Sequence, residues 1–329
     1  MSRFLHLSMM LLLFLLTANL GCAQELIQNY ESLQNDSIRI GVGDEDFFAF
    51  IQKGFTLKLP EQDSILGVLI FLEDSGYDEK NSNARLIYPQ ATEAGFAVLS
   101  VSSDLPFDFY FGDSSIRSTN QLIQQVFSDH NLPNQHIFFL GGSLVGHRAL
   151  RYIKVMQEES FEFKLNIDGL VLCHFTMDWT RKWHQHERDI RINKIDLWEP
   201  RFINYMLESY LEGSPAEKLE RYDDFSAYTY FGGQNVNIKW YKDYAVRAYI
   251  QPKVNDRLEQ QFRTLYENNA VDMVGFLAEL QLAGNEDVEL IQVGTEGETV
   301  NESKASTCWE LVDKEELMLW ILQQMKARN

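Results

Sequence analysis

The sequence predicts an α/β fold built on a doubly wound, mostly parallel sheet with a helical cap insertion. Short, continuous apolar runs alternate with stretches of helical periodicity along most of the chain, as in repeated strand–helix units. The runs are apolar throughout, which is typical of strands covered on both faces. One of them enters a glycine-rich turn that holds Ser143 and leads into a helix. These three observations together predict the fold class.

The elements follow in order from the end of a polar leader. Short strands are predicted at 36–41 and 55–59, and the continuous apolar run at 65–72 predicts the first fully buried strand. A polar glycine turn ends that strand, and Asn131-Leu132-Pro133 ends a later helix of period 3.6. The remaining predicted elements are a helix at 84–95, a strand at 96–101, a helix at 118–129, a strand at 136–140, a helix from 144, strands at 167–173 and 245–250, a helical region at 257–282 broken near Asn268, a strand at 288–293 and a helix at 309–325.

The alternation is lost between residues 177 and 240. Aromatic residues such as Trp179, Trp183 and Trp198 lie among charged residues there. We interpret the segment as a helical cap inserted after a core strand. Because no repeat or long linker interrupts the chain, the sequence predicts one domain over 24–329 that includes the cap.

Residues 1–23 have the pattern of a signal peptide. Arg3 precedes the apolar run 7–16, and small or polar residues follow it. The pattern predicts a secreted or periplasmic protein. Two endings compete: Gly21-Cys22 resembles the end of a bacterial lipobox, which implies a membrane-anchored lipoprotein, and cleavage after Ala23 implies a free chain.

The net charge is −19, from 29 Lys and Arg against 48 Asp and Glu. Such a balance repels phosphate backbones and argues against a nucleic-acid partner. His184 and His186 do not share a helical face, and no cysteine or carboxylate pair completes a ligand set, so no metal site or cofactor is predicted. Cys173 and Cys308 can form a disulfide in an oxidising compartment, but the sequence does not require one.

Ser143 is the candidate nucleophile. A serine on a tight strand-to-helix turn projects its hydroxyl above the sheet, and the helix N-terminus offers N–H groups to an oxyanion. The turn can be aligned with a Gly-x-Ser-x-Gly pattern in two registers. The first, which has Ser143 at the serine position, is favoured. The residues at the three positions are Gly141, Ser143 and Val145 in the first register, and Gly142, Leu144 and Gly146 in the second.

With this turn the chain resembles α/β-hydrolases of the esterase type, particularly small secreted esterase-like proteins. The resemblance covers most of the mature chain and includes Gly284-Asn285, Leu290-Ile291 and Trp309. It implies an acid after the strand at 245–250, a histidine just before Trp309, and a pocket with an oxyanion hole. The pocket and oxyanion positions it implies are Leu144, Ser75, Gly76 and Tyr77.

The implied triad is degenerate. Gln251 and Lys253 stand where the acid is expected, and Thr307 stands where the histidine is expected. None of the seven histidines lies beyond residue 186. His174, at the end of a neighbouring strand, is the remaining candidate base, and Asp256 is a nearby candidate acid.

These observations leave two functional hypotheses. The leading hypothesis is a non-catalytic pseudoenzyme whose cleft binds a small organic ligand or a partner protein. The alternative is an active serine carboxylesterase or acyl hydrolase in which Ser143 acts with a non-standard base such as His174, oriented by Asp178 or Asp256. The sequence does not determine the oligomeric state.

Overall fold

The described part of the chain in this computed structural model forms a mixed sheet with helices on both faces. Residues 1–25, with the predicted signal peptide and Cys22, and residues 74–82, with Ser75, Gly76 and Tyr77, lie outside the described residues, as do the predictions made for them. The described ranges are 26–41, 46–62, 64–73, 83–102, 112–159, 161–195, 197–230, 235–294 and 307–328.

The sheet has eight strands in the order β1-β2-β4-β3-β5-β6-β7-β8 across the described residues. The strands β3 to β8 run parallel, and β2 pairs antiparallel with both β1 and β4. The strand bounds are β1 Leu26–Gly41, β2 Asp46–Lys58, β3 Gly67–Leu72, β4 Phe96–Ser102, β5 Ile137–Gly142, β6 Ile167–Cys173, β7 Ala245–Ile250 and β8 Val288–Gln292.

Helices connect the parallel strands, and three of them follow one another between β6 and β7. Short 3-10 turns accompany them at Ala84–Ile87, Ile238–Trp240 and Leu265–Glu267. The α-helices are α1 Tyr88–Glu93, α2 Asp113–Asp129, α3 Leu144–Glu158, α4 Trp179–Ile192, α5 Trp198–Leu211, α6 Pro215–Phe225, α7 Val254–Gln261, α8 Ala270–Leu282, α9 Cys308–Leu311 and α10 Lys314–Ala327.

The core has two layers because side chains alternate across each strand. In β3, Val68, Ile70 and Leu72 pack in the layer that includes α3 and α8, and Leu69 and Phe71 pack in the layer that includes α10. Every residue of β3 is buried, as the continuous apolar run predicts for a strand covered on both faces. A third cluster, which we call the cap cluster, joins α4, α5 and α6 through Trp179, Phe202, Ile203, Leu207, Leu211, Tyr222 and Phe225.

The fold class predicted from the sequence is confirmed, with differences at element boundaries. The first two strands are longer than predicted because β1 lies at the sheet edge, where exposed Gln28, Asn29 and Glu31 hide the apolar pattern. The helical region predicted at 257–282 is interrupted over a longer stretch, because Phe262 takes a left-handed φ of 56° and ends α7. The closing helix begins only at Lys314, where the Asp313 carboxylate caps α10.

No helix within the described ranges combines the length and the apolar composition needed to span a membrane.

Gly146 allows the helix after the serine turn to pack closely on the chain that leaves β6. A Cβ atom at Gly146 would lie 2.4 Å from Cε1 of Phe175, a buried ring. Such a contact forces the ring or the helix to move. Close packing of α3 in this layer therefore requires glycine at residue 146.

We predict that Gly146→Ala lowers the free energy of unfolding by about 2 kcal/mol, the usual range for overpacking. In a Phe175→Ala background the same change should be neutral or stabilising, because alanine has the higher helix propensity by about 1 kcal/mol. Denaturant unfolding of the four proteins of this double-mutant cycle measures the coupling. Equal losses in both backgrounds would contradict the packing assignment.

Candidate active site at the serine turn

Ser143 occupies the turn between β5 and α3 in a strained conformation. Its φ is 53° and its ψ is −136°, an unusual combination for a residue with a side chain. Its backbone N–H donates to the Cys173 carbonyl at 3.3 Å, which joins the turn to the end of β6. The residue is exposed. The turn thus presents the Ser143 hydroxyl at the carboxyl edge of the sheet, in the geometry that a nucleophile elbow needs.

The residues around Ser143 show which register the turn adopts. Leu144 is the first residue of α3 and packs against the cap cluster. A Cβ atom at Gly141 would lie 2.5 Å from Cγ1 of Val145, so the bulky Val145 is accommodated by the absence of a side chain at Gly141. The structure therefore has Ser143 at the turn and Leu144 in the helix, the geometry of the first register.

The loop after β7 approaches His174 through its backbone. The N–H of Gln251 donates to Nδ1 of His174 at 3.1 Å. Lys253 has a left-handed φ of 45° and directly precedes α7. Asp256 lies exposed in the first turn of α7, where a carboxylate interacts favourably with the helix dipole. The hydrogen bond from this loop to His174 therefore comes from the backbone of Gln251.

His174 is a neutral imidazole with a defined tautomer. Because Nδ1 accepts a hydrogen bond, the proton lies on Nε2. The Nε2 atom is buried and has no hydrogen-bond partner among the described residues. Burial, followed by the positive charges of Arg257 and Arg181, lowers the pKa of His174 to about 3. The ring is therefore a hydrogen-bond donor at Nε2 and a very weak base.

The Asp178 carboxylate accepts hydrogen bonds from backbone N–H groups of other residues. Its carboxylate caps α4 by accepting from the Arg181 N–H at 2.9 Å, and it also accepts from the Tyr230 N–H at 2.9 Å. Burial and the nearby Asp272 raise the pKa of Asp178 to about 6. Asp178 therefore serves the backbone at the start of the cap.

Thr307 serves as a helix cap. Its hydroxyl accepts from the Glu310 N–H, and its own N–H donates to the Glu310 carboxylate at 2.7 Å. The next residue, Cys308, donates its thiol to the Tyr249 carbonyl at 3.4 Å. Cys308 and Cys173 are both buried and unbridged, and burial together with the Cys308 thiol raises the pKa of Cys173.

The other described histidines have structural surroundings. His147 is buried between rings of the cap, where its Nδ1 accepts from the Trp179 indole N–H at 3.2 Å. His186 pairs through Nδ1 with the Asn204 amide oxygen at 2.9 Å. His136 lies before β5, at the opposite edge of the sheet from Ser143, and its Nδ1 is 2.8 Å from Asp168. Across the described ranges, no group of three or more His, Cys, Asp or Glu side chains could hold a metal ion.

Sequence reasoning missed buried ion pairs that join the cap to α8 and to the loop between α7 and α8. Arg181 makes two hydrogen bonds to Asp272, at 2.5 and 2.7 Å, and Arg263 contacts Asp189 at 2.5 Å. These partners lie far apart in the chain, so sequence spacing cannot pair them. The polar positions along one side of α4, at Arg181, Lys182 and Asp189, are the only sequence signal for these ion pairs.

Comparison with solved structures identifies the fold as that of the α/β-hydrolases. An esterase from the fungus Rhizomucor miehei superposes with a TM-score of 0.55 at 15% identity, over 93% of this chain and 86% of that chain. Carboxyl esterase 2 from Tuber melanosporum gives 0.51 at 14% identity, over 93% and 86%. An acylaminoacyl peptidase from Pyrococcus horikoshii gives 0.51 at 11% identity, over 94% of this chain and 43% of that longer chain.

These neighbours are esterases and peptidases, and the shared feature is the fold. No protein-family model matches the sequence, and no curated protein matches it significantly. At such low identity, fold alone does not establish activity.

We predict that Ser143→Gly is more stable than Ser143→Ala by about 1 kcal/mol. Glycine adopts the left-handed conformation without strain, which is worth about 1–3 kcal/mol, and loses about 0.4–1 kcal/mol to unfolded-state entropy. Ser128, exposed in α2, is the matched control, and there the order should reverse by helix propensity. Chemical denaturation checks both pairs, and an alanine variant at 143 as stable as the glycine variant would contradict a strained elbow.

Proposed function

We propose that this chain is an extracytoplasmic α/β-hydrolase-fold protein that binds a ligand at the serine turn without hydrolysing it. The observation that carries the proposal is the hydrogen bond from the Gln251 N–H to Nδ1 of His174. The pattern of residues 1–23 supports export, with or without a lipid on Cys22.

A serine nucleophile needs a general base with a free lone pair directed at its hydroxyl. In His174 the lone pair of Nδ1 is occupied, and Nε2 carries the proton. The pKa of about 3 means that the ring gains little by accepting a proton from serine at neutral pH. This imidazole is thus suited to donating a hydrogen bond to a ligand.

The substitutions at the other triad positions agree with this reading. An amide at Gln251 carries no charge to stabilise an imidazolium, and Lys253 would oppose one electrostatically. The Thr307 hydroxyl is committed to the first turn of α9. Loss of triad members lowers the catalytic rate by several orders of magnitude, and the small activity that remains comes from the oxyanion hole and substrate binding.

The binding surface that remains combines a polar edge with apolar side chains. Ser143 is exposed, and the adjacent Leu144 packs on the cap cluster. Aromatic side chains with few polar groups are typical of small-molecule sites. This combination supports a small organic ligand.

An active carboxylesterase or acyl hydrolase is the second candidate, and the strained, exposed Ser143 favours it. That function would require His174 to release the Gln251 N–H and to turn a lone pair toward Ser143. It would also require a carboxylate such as Asp178 or Asp256 to orient the ring, and Asp178 accepts two backbone hydrogen bonds elsewhere.

We predict that the purified mature chain cleaves p-nitrophenyl butyrate no faster than its Ser143→Ala variant. A fluorophosphonate probe should label Ser143 no faster than other exposed serines, because no base activates its hydroxyl. His174→Gln is the matched control and should leave both readings unchanged. Multiple turnovers that disappear in Ser143→Ala would overturn the proposed function.

A further inference from the structure

Two buried donor atoms beyond the carboxyl ends of β6 and β7 have no acceptor among the described residues. One is Nε2 of His174, which carries the proton of that ring. The other is Nε of Arg257, in α7, which begins just after the Gln251 loop. Leaving a buried donor unsatisfied costs free energy, so such atoms indicate a missing acceptor.

Arg257 differs from its neighbour Arg263 in its partners. Arg263 forms an ion pair with Asp189, and both guanidinium groups donate to the same Gln261 amide oxygen, at 3.1 Å from Arg257 and 2.8 Å from Arg263. Gln261 therefore holds two like charges together. Within the described residues, no carboxylate lies within ion-pair distance of Arg257. Burial and the charge of Arg263 lower the pKa of Arg257, against a smaller opposing effect of the Glu199 carboxylate.

Lys182 adds a third donor, which carries a positive charge, on the cap side. It lies in the first turn of α4, is buried, and makes no hydrogen bond through its ammonium group to any described residue. Its nearest carboxylate is Glu199, at 3.8 Å, and the Glu199 side chain is mostly exposed. Burial lowers the pKa of Lys182 to about 8.

The ion pairs that the described residues form around these donors leave the charge of Arg257 in excess. Arg181 is balanced by Asp272 and Arg263 by Asp189, as buried ion pairs need to be. Lys182 has the Glu199 carboxylate at 3.8 Å, and Arg257 has no carboxylate at ion-pair distance among the described residues. A monoanion would neutralise this excess.

We infer that His174, Lys182 and Arg257 form a binding site for the carboxylate group of a small organic acid, at the carboxyl ends of β6 and β7. The three side chains project from elements that begin where β6 and β7 end. A planar guanidinium group and single N–H donors match the geometry of a carboxylate. One excess charge fits a carboxylate better than a doubly charged phosphate. This inference rests on the proposed ligand-binding function and names its ligand class.

Titration calorimetry of the mature chain at constant ionic strength tests the site with benzoate and butyrate as probes. Their uncharged amides should bind at least tenfold more weakly, and phosphate should bind more weakly than either acid. Arg257→Gln should weaken benzoate binding at least tenfold. Without ligand, Arg257→Gln should unfold at the same or a higher denaturant concentration, because an uncompensated charge is removed.

Arg117→Gln is the matched control. Arg117 lies on α2, away from His174, Lys182 and Arg257, and forms an exposed ion pair with Glu159. It should leave benzoate affinity unchanged. Equal affinity for acid and amide, tighter binding of phosphate, or absence of binding by both acids would overturn the carboxylate site. Binding of the amides alone would contradict the carboxylate site but agree with the proposed ligand-binding function. Ester turnover that depends on Ser143 would contradict the ligand-binding function itself.

Discussion

The hydrogen bond between the Gln251 N–H and His174 Nδ1 fixes the tautomer of the histidine that is the candidate base for Ser143. It forms where two neighbouring parallel strands, β6 and β7, end at the same edge of the sheet. The donor belongs to the backbone and keeps its place with the strand ends, so the tautomer of His174 is fixed as long as the ring stays in this orientation. The proton on Nε2 makes the ring a donor, and burial, followed by the charges of the surrounding cations, keeps the ring neutral. The proposed binding function and the proposed carboxylate site both follow from this constraint.

The scaffold around Ser143 is retained with its strain. The left-handed turn, the contact of Val145 with Gly141 and the packing of Phe175 on Gly146 belong to the core of the α/β fold, and their loss would disturb the packing of α3 on the sheet. The two packing contacts stabilise the structure whether or not Ser143 reacts, whereas the backbone strain at Ser143 does not stabilise it. A nucleophile elbow is therefore evidence for a fold, and the groups around its hydroxyl are evidence for a reaction.

The sequence was sufficient for the architecture and for the position of Ser143, because apolar runs and glycine turns are local signals. It was insufficient where the partners are distant or belong to the backbone. The Gln251 side chain was read as a lost acid, and no sequence pattern reports that its N–H contacts His174. The pairing of Arg181 with Asp272 also arises only when the cap meets α8. Edge strand β1 was underestimated because exposed polar residues interrupt its apolar pattern.

The tautomer and titration of His174 test the central claim most directly. Long-range proton–nitrogen correlation NMR of the mature chain, with His174→Gln to assign the signals, can follow the ring from pH 8 to pH 4. The account predicts a proton on Nε2, an unprotonated Nδ1 and no titration above about pH 4, since the pKa is about 3. A proton on Nδ1 at pH 7, or a midpoint close to the ordinary histidine value of about 6.5, would contradict it.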